Sequence, residues 1–192
     1  MTHHTPNNQI LAFFSAHSHP AVRQLVMRAI LDEEFQLASG AGSPDKHHYG
    51  DGGLLIHTYE VVRHALALAE THHKMTGENL RIDELLVAAV WHDYGKIWDY
   101  ERTPTGWQKT KHAREIHHIS RSVLELQSYV TQFPDVVPQG FDIDHVFHMI
   151  LSHHGRREWG SPVAPHTQEA WILHLADGVS ARLNDHKTHR PF

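Results

Sequence analysis

Apolar residues recur at the three- and four-residue spacing of an amphipathic helix along most of this 192-residue chain. The clearest stripe places Ile119, Val123, Leu126 and Val130 on one helix face. Glycine, serine and proline residues, as in residues 39–44, interrupt the pattern between the periodic segments. The chain is therefore predicted to be all-α, with its helices packed as a bundle-like array.

The periodic segments also predict where single helices begin and end. The longest is expected from about residue 54 to residue 75, directly after a Gly-Gly pair. Asp83 is predicted to cap a helix that has ended by Gly95, and Asp142 is predicted to cap a later one. The last helix is defined by an apolar stripe, which comprises Ile172, Leu175, Ala176, Val179 and Leu183.

One stretch departs from helical spacing. Residues 103–106, Thr-Pro-Thr-Gly, separate two short segments that each contain a tryptophan. A turn of this composition between such segments predicts a small β-hairpin within about residues 98–110.

Composition limits the class of protein. With 40% hydrophobic residues the chain can bury one core, so a single domain over residues 1–192 is expected, with residues 1–40 as a helical extension on a core of residues 41–185. The absence of cysteine excludes a disulfide framework, a zinc ribbon and a thiol nucleophile. No apolar stretch is long enough to span a bilayer and no secretory signal is visible, so a cytoplasmic protein is expected.

Histidine is unusually frequent, at 22 of 192 residues. Eight of these histidines are interpreted as solvated, because they lie near the termini or on polar stretches: His3, His4, His17, His19, His72, His73, His186 and His189. A smaller group lies at helix ends or beside apolar segments, together with two aspartates: the group comprises His57, His92, Asp93, His118, His153, His154 and Asp177. Such side chains converge only if the helices pack around one point, and nitrogen and oxygen ligands without thiolate suit Mn, Fe, Co, Ni or Zn.

The segments around these residues resemble a known family. They read GGLLIHT at 52–58, HDYGK at 92–96, SHHG at 152–155 and LHLAD at 173–177. In this order they resemble the HD-domain superfamily of metal-dependent phosphohydrolases. His47-His48, EWGSPV at 158–163 and EAWILH at 169–174 narrow the resemblance to the HD modules of YhaM-type 3′–5′ exoribonucleases and of relaxase-associated proteins.

The resemblance implies an HD-domain helical bundle that holds one or two divalent transition-metal ions. A first ion is implied at His57, His92, Asp93 and Asp177. A second is implied at His118, His153 and His154, with Asp93 as the bridge. Relatives usually have glycine where this chain has His117, so either His117 or His118 is the ligand from this motif, and the place before Ile119 favours His118.

The implied reaction is hydrolysis of a phosphate ester by a hydroxide that the metal activates, since a bound metal lowers the pKa of water towards ~7. Asp93 would orient this hydroxide. Lys96 would neutralise charge on the phosphoryl oxygens, although a solvated cation at a helix end is an equally good interpretation. Further candidate substrate-binding residues are Arg121, Arg156, Arg157 and His48, with solvated or plain loop roles as the alternatives.

The expected function is that of a phosphohydrolase or phosphodiesterase acting on a nucleotide or a short oligonucleotide. A small nucleotide is expected rather than nucleic acid, because the net charge is −5 and about 50 residues before the Gly-Gly pair leave no room for an added nucleic-acid-binding domain. One alternative is a non-catalytic module that binds nucleotide or metal and serves a partner protein. Another is a histidine-rich metal buffer.

Overall fold

The computed structural model describes residues 6–188, and these residues form ten α-helices and one two-stranded sheet. The all-α prediction is confirmed. The helices are α1 Pro6–His17, α2 Arg23–Ile30, α3 Glu33–Leu37, α4 Gly53–Thr76, α5 Ile82–Trp91, α6 Lys96–Asp99, α7 His112–Glu115, α8 His118–Gln132, α9 Ile143–Ser152 and α10 Gln168–Thr188. The strands are β1 Tyr100–Thr103 and β2 Gly106–Lys109.

Helix α5 lies at the centre of the molecule. Every residue from Glu84 to Trp91 is buried, and α5 contacts α2, α4, α8, α9 and α10. A helix that is apolar on all sides needs neighbours on all sides, so its sequence accounts for this central position.

None of the helices within the described part of the chain is long and apolar enough to cross a membrane.

One hydrophobic core runs through the described residues. Ile10 and Phe14 of α1 are buried in the same cluster as Leu85 of α5 and Leu173 of α10. The N-terminal helices therefore pack on the rest of the chain. The division into an extension and a core stays a prediction, and the ends of the proposed domain, residues 1–5 and 189–192, lie outside the described residues.

Several predicted element boundaries are confirmed. The long helix α4 covers the expected residues, and the hairpin pairs Tyr100 with Lys109 and Thr103 with Gly106. Asp142 caps α9, because its side chain accepts a hydrogen bond from the His145 backbone N–H at 3.1 Å.

One prediction about a helix end is wrong. Helix α5 begins at Ile82, so Asp83 lies in its first turn, where a carboxylate suits the positive end of the helix dipole, and does not cap it. Helix α10 lies where its apolar stripe placed it; within that stripe Ile172 and Ala176 are buried, whereas three members are exposed to solvent. The exposed members are Leu175 at 52%, Val179 at 37% and Leu183 at 56%.

Candidate metal centre

The ends of four helices and the middle of a fifth meet at one point. The N-terminal turn of α4, the C-terminal ends of α5 and α9, the start of α8 and the centre of α10 each supply at least one polar side chain. These are His57, then His92 and Asp93, then His153 and His154, then His118, then Asp177. The structure therefore brings together all seven residues that the sequence singled out as metal ligands.

Two glycines allow this close approach. A side chain at Gly53 would overlap the carbonyl oxygen of His48, and one at Gly95 would overlap that of His118. The start of α4 can therefore lie against the loop that carries His48, and the turn after Asp93 can lie against the start of α8.

Asp93 lies between two groups of histidines and is 1% exposed. Its Oδ2 is 3.2 Å from Nε2 of His57 and 3.3 Å from Nε2 of His92. Its Oδ1 is 3.3 Å from Nε2 of His118 and 3.7 Å from Nε2 of His153. One carboxylate thus presents one oxygen to each group, as a bridging ligand does.

The potential ligand atoms fall into two sets, in each of which the atoms lie within 4.8 Å of one another. One set consists of His57, His92, Asp93 and Asp177, and the other of Asp93, His118, His153 and His154. These are the two ligand groups that the family resemblance implies.

Three atoms at this centre have no hydrogen-bond partner among residues 6–188. They are Oδ1 of Asp93, Nε2 of His118 and Nε2 of His153, and all three are buried. Leaving a buried polar atom unsatisfied costs about 1–3 kcal/mol, so three such atoms at one place require an explanation. A cation bound between them would satisfy all three, and the donor set fits a divalent transition metal.

The histidines are oriented as metal ligands are. Each of the five uses its Nδ1 for a hydrogen bond away from the centre, which directs Nε2 towards it. The pairs are His57 with Ser180 Oγ (3.0 Å), His92 with Ala89 O (2.8 Å), His118 with Asp99 Oδ2 (2.9 Å), His153 with Ile150 O (2.7 Å) and His154 with Trp159 O (2.7 Å). Where the acceptor is a carbonyl or carboxylate oxygen, Nδ1 carries the proton and Nε2 keeps its lone pair.

Burial favours the neutral imidazoles that a metal requires. It lowers the pKa of His118 to about 4 and that of His154 to about 3, and it also lowers the pKa of His92. His57 differs, because hydrogen bonds to Asp177 and Asp93 outweigh the effect of burial and raise its pKa.

Lys96 points into the same centre. Its Nζ lies 2.7 Å from Oδ2 of Asp93, and the side chain is only 10% exposed. Burial opposes the charge on Lys96, but Asp93 outweighs burial and raises the pKa of the ammonium group. The cation in turn holds the pKa of Asp93 well below its usual value, although burial acts against this. Lys96 is therefore a buried cation paired with Asp93 beside the other ligands.

Two supporting carboxylates were missed by sequence reasoning. Asp99 is buried and accepts hydrogen bonds from the backbone N–H and the Nδ1 of His118, and from Nδ1 of His112. Glu60 accepts a hydrogen bond from the Ser180 hydroxyl at 2.9 Å, and that hydroxyl contacts Nδ1 of His57. Glu60 follows His57 by three residues and so lies on the same helix face, a spacing from which a supporting role beside His57 could have been predicted.

His48 lies next to the first ligand set. Its Nε2 is 3.0 Å from Oε2 of Glu60, and its ring centroid is 4.9 Å from that of His57. Burial acts to raise the pKa of Glu60, but hydrogen bonds from His48, Ser180 and other partners lower it to about 2. The Glu60 carboxylate is therefore ionised. His47 and His48 form another cluster of potential ligands with His57.

His117 precedes α8 and lies beside the second ligand set. Its ring centroid is 4.1 Å from that of His118 and 6.1 Å from that of His154. With Asp99 and His118 it forms a further cluster of potential ligands. In that cluster Asp99 already bonds the Nδ1 of His118, whereas the Nε2 of His118 faces Asp93.

The three arginines named as substrate contacts lie in different surroundings. Arg121 donates from Nε to His112, pairs with Glu125 and stacks on Trp98, so its contacts are with residues outside both ligand sets. Arg156 and Arg157 are exposed and directly follow the turn after His154.

The chain belongs to the HD-domain family. The family model described as HD domain matches residues 54–182, which is more than half of the chain and includes all seven potential ligands. No solved structure matches the chain significantly.

Curated relatives carry names of phosphoesterases. The chain is 30% identical over 165 residues to the 3′–5′ exoribonuclease YhaM of Oceanobacillus iheyensis, covering 86% of this chain and 49% of the relative. It is also 30% identical over 156 residues to the dihydroneopterin 2′,3′-cyclic phosphate phosphodiesterase of Methanocaldococcus jannaschii, covering 81% of this chain and 57% of the relative. The chain is 29% identical to the YhaM of Bacillus subtilis, and the match covers 86% of this chain and 50% of the relative. The chain thus spans about half the length of these relatives.

Because exoribonucleases stand among these relatives, the comparisons do not disfavour nucleic acid as a substrate, contrary to the sequence-based expectation. The names do support the expected class, a metal-dependent phosphohydrolase. The cytoplasmic location stays a prediction.

Proposed function

We propose that this chain is a metal-dependent phosphohydrolase or phosphodiesterase that hydrolyses a phosphate ester of a nucleotide or a short oligonucleotide. The observation that carries the proposal is the meeting of three unsatisfied buried atoms around Asp93, between two sets of imidazole and carboxylate ligands. Membership of the HD-domain family supports it.

The residues fit one or two divalent ions of Mn, Fe, Co, Ni or Zn. One ion would be held by His57, His92, Asp93 and Asp177, and a second by Asp93, His118, His153 and His154. A metal bound here supplies Lewis-acid activation of water and of the phosphoryl group at neutral pH.

Asp93 and Lys96 are proposed to orient the attacking water and to neutralise charge on the phosphoryl group. The Asp93 carboxylate, which both ligand sets share, can also accept a hydrogen bond from the attacking water and orient it. The Lys96 ammonium group stands 2.7 Å from Oδ2 of Asp93, where it offsets negative charge that grows on the phosphoryl oxygens. Because Lys96 is buried, little water screens this interaction.

The remaining substrate contacts are proposed at the rim. Arg156 and Arg157 closely follow His153 and His154 in the chain, and their guanidinium groups suit the geometry of a phosphate group. His48 lies beside His57, with its ring centroid 4.9 Å from that of His57. Arg121 remains a proposed contact, and it would have to exchange its bonds to His112 and Glu125 for the substrate.

The test measures metal content and turnover together. Purified protein is assayed with Mn²⁺ against bis-p-nitrophenyl phosphate and a panel of nucleotides, and metal is quantified by mass spectrometry. We expect Asp93→Ala and Asp177→Ala to abolish turnover and to reduce bound metal, because each removes a ligand. The control Asp144→Ala removes an exposed carboxylate of α9 and should behave as wild type.

Two outcomes would contradict the proposal. Absence of turnover with every metal, while nucleotide still binds, would favour the non-catalytic module. Undiminished metal uptake by both Asp93→Ala and Asp177→Ala would favour the histidine-rich metal buffer.

A further inference from the structure

We propose that an exposed row of aromatic rings beside the metal centre binds the nucleobase of the substrate. The row, called here the aromatic platform, consists of Trp159, His174 and Trp171, with Arg156 at one end. The proposal rests on the proposed function and deepens it, because it assigns a binding place to the part of the substrate that does not react.

The rings of the platform follow one another in contact. The Arg156 guanidinium lies over the Trp159 ring at 4.9 Å from its centroid. The Trp159 and His174 centroids are 6.3 Å apart with an interplanar angle of 26°, so the rings are nearly parallel. Trp171 meets His174 edge to face, with centroids 5.8 Å apart. Two chain segments, the turn after α9 and the helix α10, therefore contribute to one aromatic surface.

The exposure of this surface is not explained by packing. Trp159 and Trp171 are each 50% exposed, whereas Trp91 is 1% exposed and uses its indole N–H to bond the Leu25 carbonyl. A tryptophan that only closed a loop would be expected to bury most of its ring. Each half-exposed indole leaves part of its ring surface accessible to another flat ring.

The platform is attached directly to the metal centre. The Trp159 carbonyl oxygen accepts the hydrogen bond from Nδ1 of His154 at 2.7 Å, and Nδ1 of His174 donates to the His153 carbonyl at 2.8 Å. Gly155 has φ +82°, and a side chain there would overlap the His174 ring, so the turn lies flat against the platform. Two residues of the platform, Trp159 and His174, are therefore each hydrogen-bonded to a proposed ligand residue.

The chemistry of the row fits a nucleobase. Bases stack on aromatic side chains whatever their sequence, because every base has a π-face, and an arginine beside them adds cation–π and phosphate contacts. In a nucleotide only the sugar separates the phosphate from the base. A phosphate at the metal centre would thus leave its base within reach of the platform.

The experiment compares two esters that share a leaving group. One is the p-nitrophenyl ester of thymidine 5′-monophosphate, and the other is methyl p-nitrophenyl phosphate, which has no base. In Trp159→Leu and Trp171→Leu we expect KM for the thymidine ester to rise about tenfold with kcat little changed, as for loss of one stacking contact. Hydrolysis of the methyl ester should stay at the wild-type level. Both substitutions keep the backbone carbonyl that bonds His154.

The matched control is Leu175→Ala, which removes an equally exposed apolar side chain one turn after Trp171. It should leave both esters unaffected. A second measurement does not depend on activity: adenosine monophosphate should quench the tryptophan fluorescence of the wild type and quench it less in Trp159→Leu.

The results separate the platform from the reaction. An unchanged KM for the thymidine ester together with unchanged quenching would overturn the platform and leave the proposed function intact. Equal losses on both esters would also overturn it, because they would indicate damage to the metal centre. If no ester is hydrolysed with any metal, the proposed function fails, and the quenching titration alone decides the platform.

Discussion

Two histidines beside the ligand sets have backbone conformations that side chains rarely adopt. His48 has φ +54° and His117 has φ +69°, and among the described residues no others except glycines have positive φ. Such a conformation costs on the order of 1–3 kcal/mol and persists only where the surroundings enforce it. Two backbone hydrogen bonds hold His117 in this conformation. Its N–H donates to the His112 carbonyl, and its own carbonyl accepts from the Arg121 N–H. Glycine, the residue that the family resemblance implies at this position, would relieve the strain.

We expect His117→Gly to be more stable than His117→Ala by about 1 kcal/mol, because both lose the imidazole and only glycine accepts φ +69° without strain. At an ordinary position inside a helix the alanine variant would instead be the more stable one, by a similar amount. Urea denaturation of the two variants measures the difference. An alanine variant more stable than the glycine variant would show that this backbone is relaxed.

At the scale of elements, Glu84 joins the central helix α5 to the start of α9. This buried carboxylate accepts hydrogen bonds from the Asp142 backbone N–H at 2.9 Å and from Nδ1 of His145 at 2.7 Å, and it pairs with Arg81 at 2.7 Å. His153 and His154 directly follow the far end of α9. The position of α9, and with it half of the second ligand set, therefore depends on a polar contact at the opposite end of the helix.

We expect Glu84→Ala to lower the free energy of unfolding by about 3 kcal/mol, because it leaves buried donors without a partner. Chemical denaturation provides the measurement. Glu70→Ala is the control, since Glu70 is an exposed carboxylate that pairs with Lys74 on the surface of α4, and it should show no measurable loss. A Glu84→Ala variant as stable as the Glu70→Ala control would mean that the Glu84 contacts add no net stability.

At the scale of the whole molecule, the metal-free chain holds several neutral imidazoles inside its core. Burial lowers the pKa of His118 from 6.5 to about 4. The unfolded chain takes up this proton near pH 6.5, so between these two values it binds more protons than the folded chain. The stability that neutral His118 contributes is therefore complete above pH 6.5 and is lost as the pH falls towards 4.

We expect the stability difference between wild type and His118→Asn, measured by denaturation in a chelator, to shrink by about 3 kcal/mol between pH 7.5 and pH 4. Taking the difference removes the contribution of His57, whose raised pKa acts with the opposite sign. A difference that stays constant over this range would show that His118 titrates alike in the folded and unfolded chains.

Periodicity predicted where the helices lie, but it did not determine which of their apolar side chains are buried. Helix α4 lies where its spacing and glycine ends placed it. Helix α10 carries apolar residues on two sides: Leu173 and Ala176 are buried, whereas Leu175 and Leu183 are exposed. A sequence pattern cannot choose between two apolar faces when the choice depends on what α4 presents to the helix.

The sequence by itself determined the all-α class and the types of ligand, because helix-forming periodicity and the positions of histidine and aspartate at helix ends are local properties. Only the tertiary structure decided which atoms meet. The contact between His57 and Ser180 joins residues 123 positions apart, and that between His118 and Asp99 joins residues on two different helices. These contacts set the direction of each imidazole, and they arise from helix packing, which no local pattern encodes.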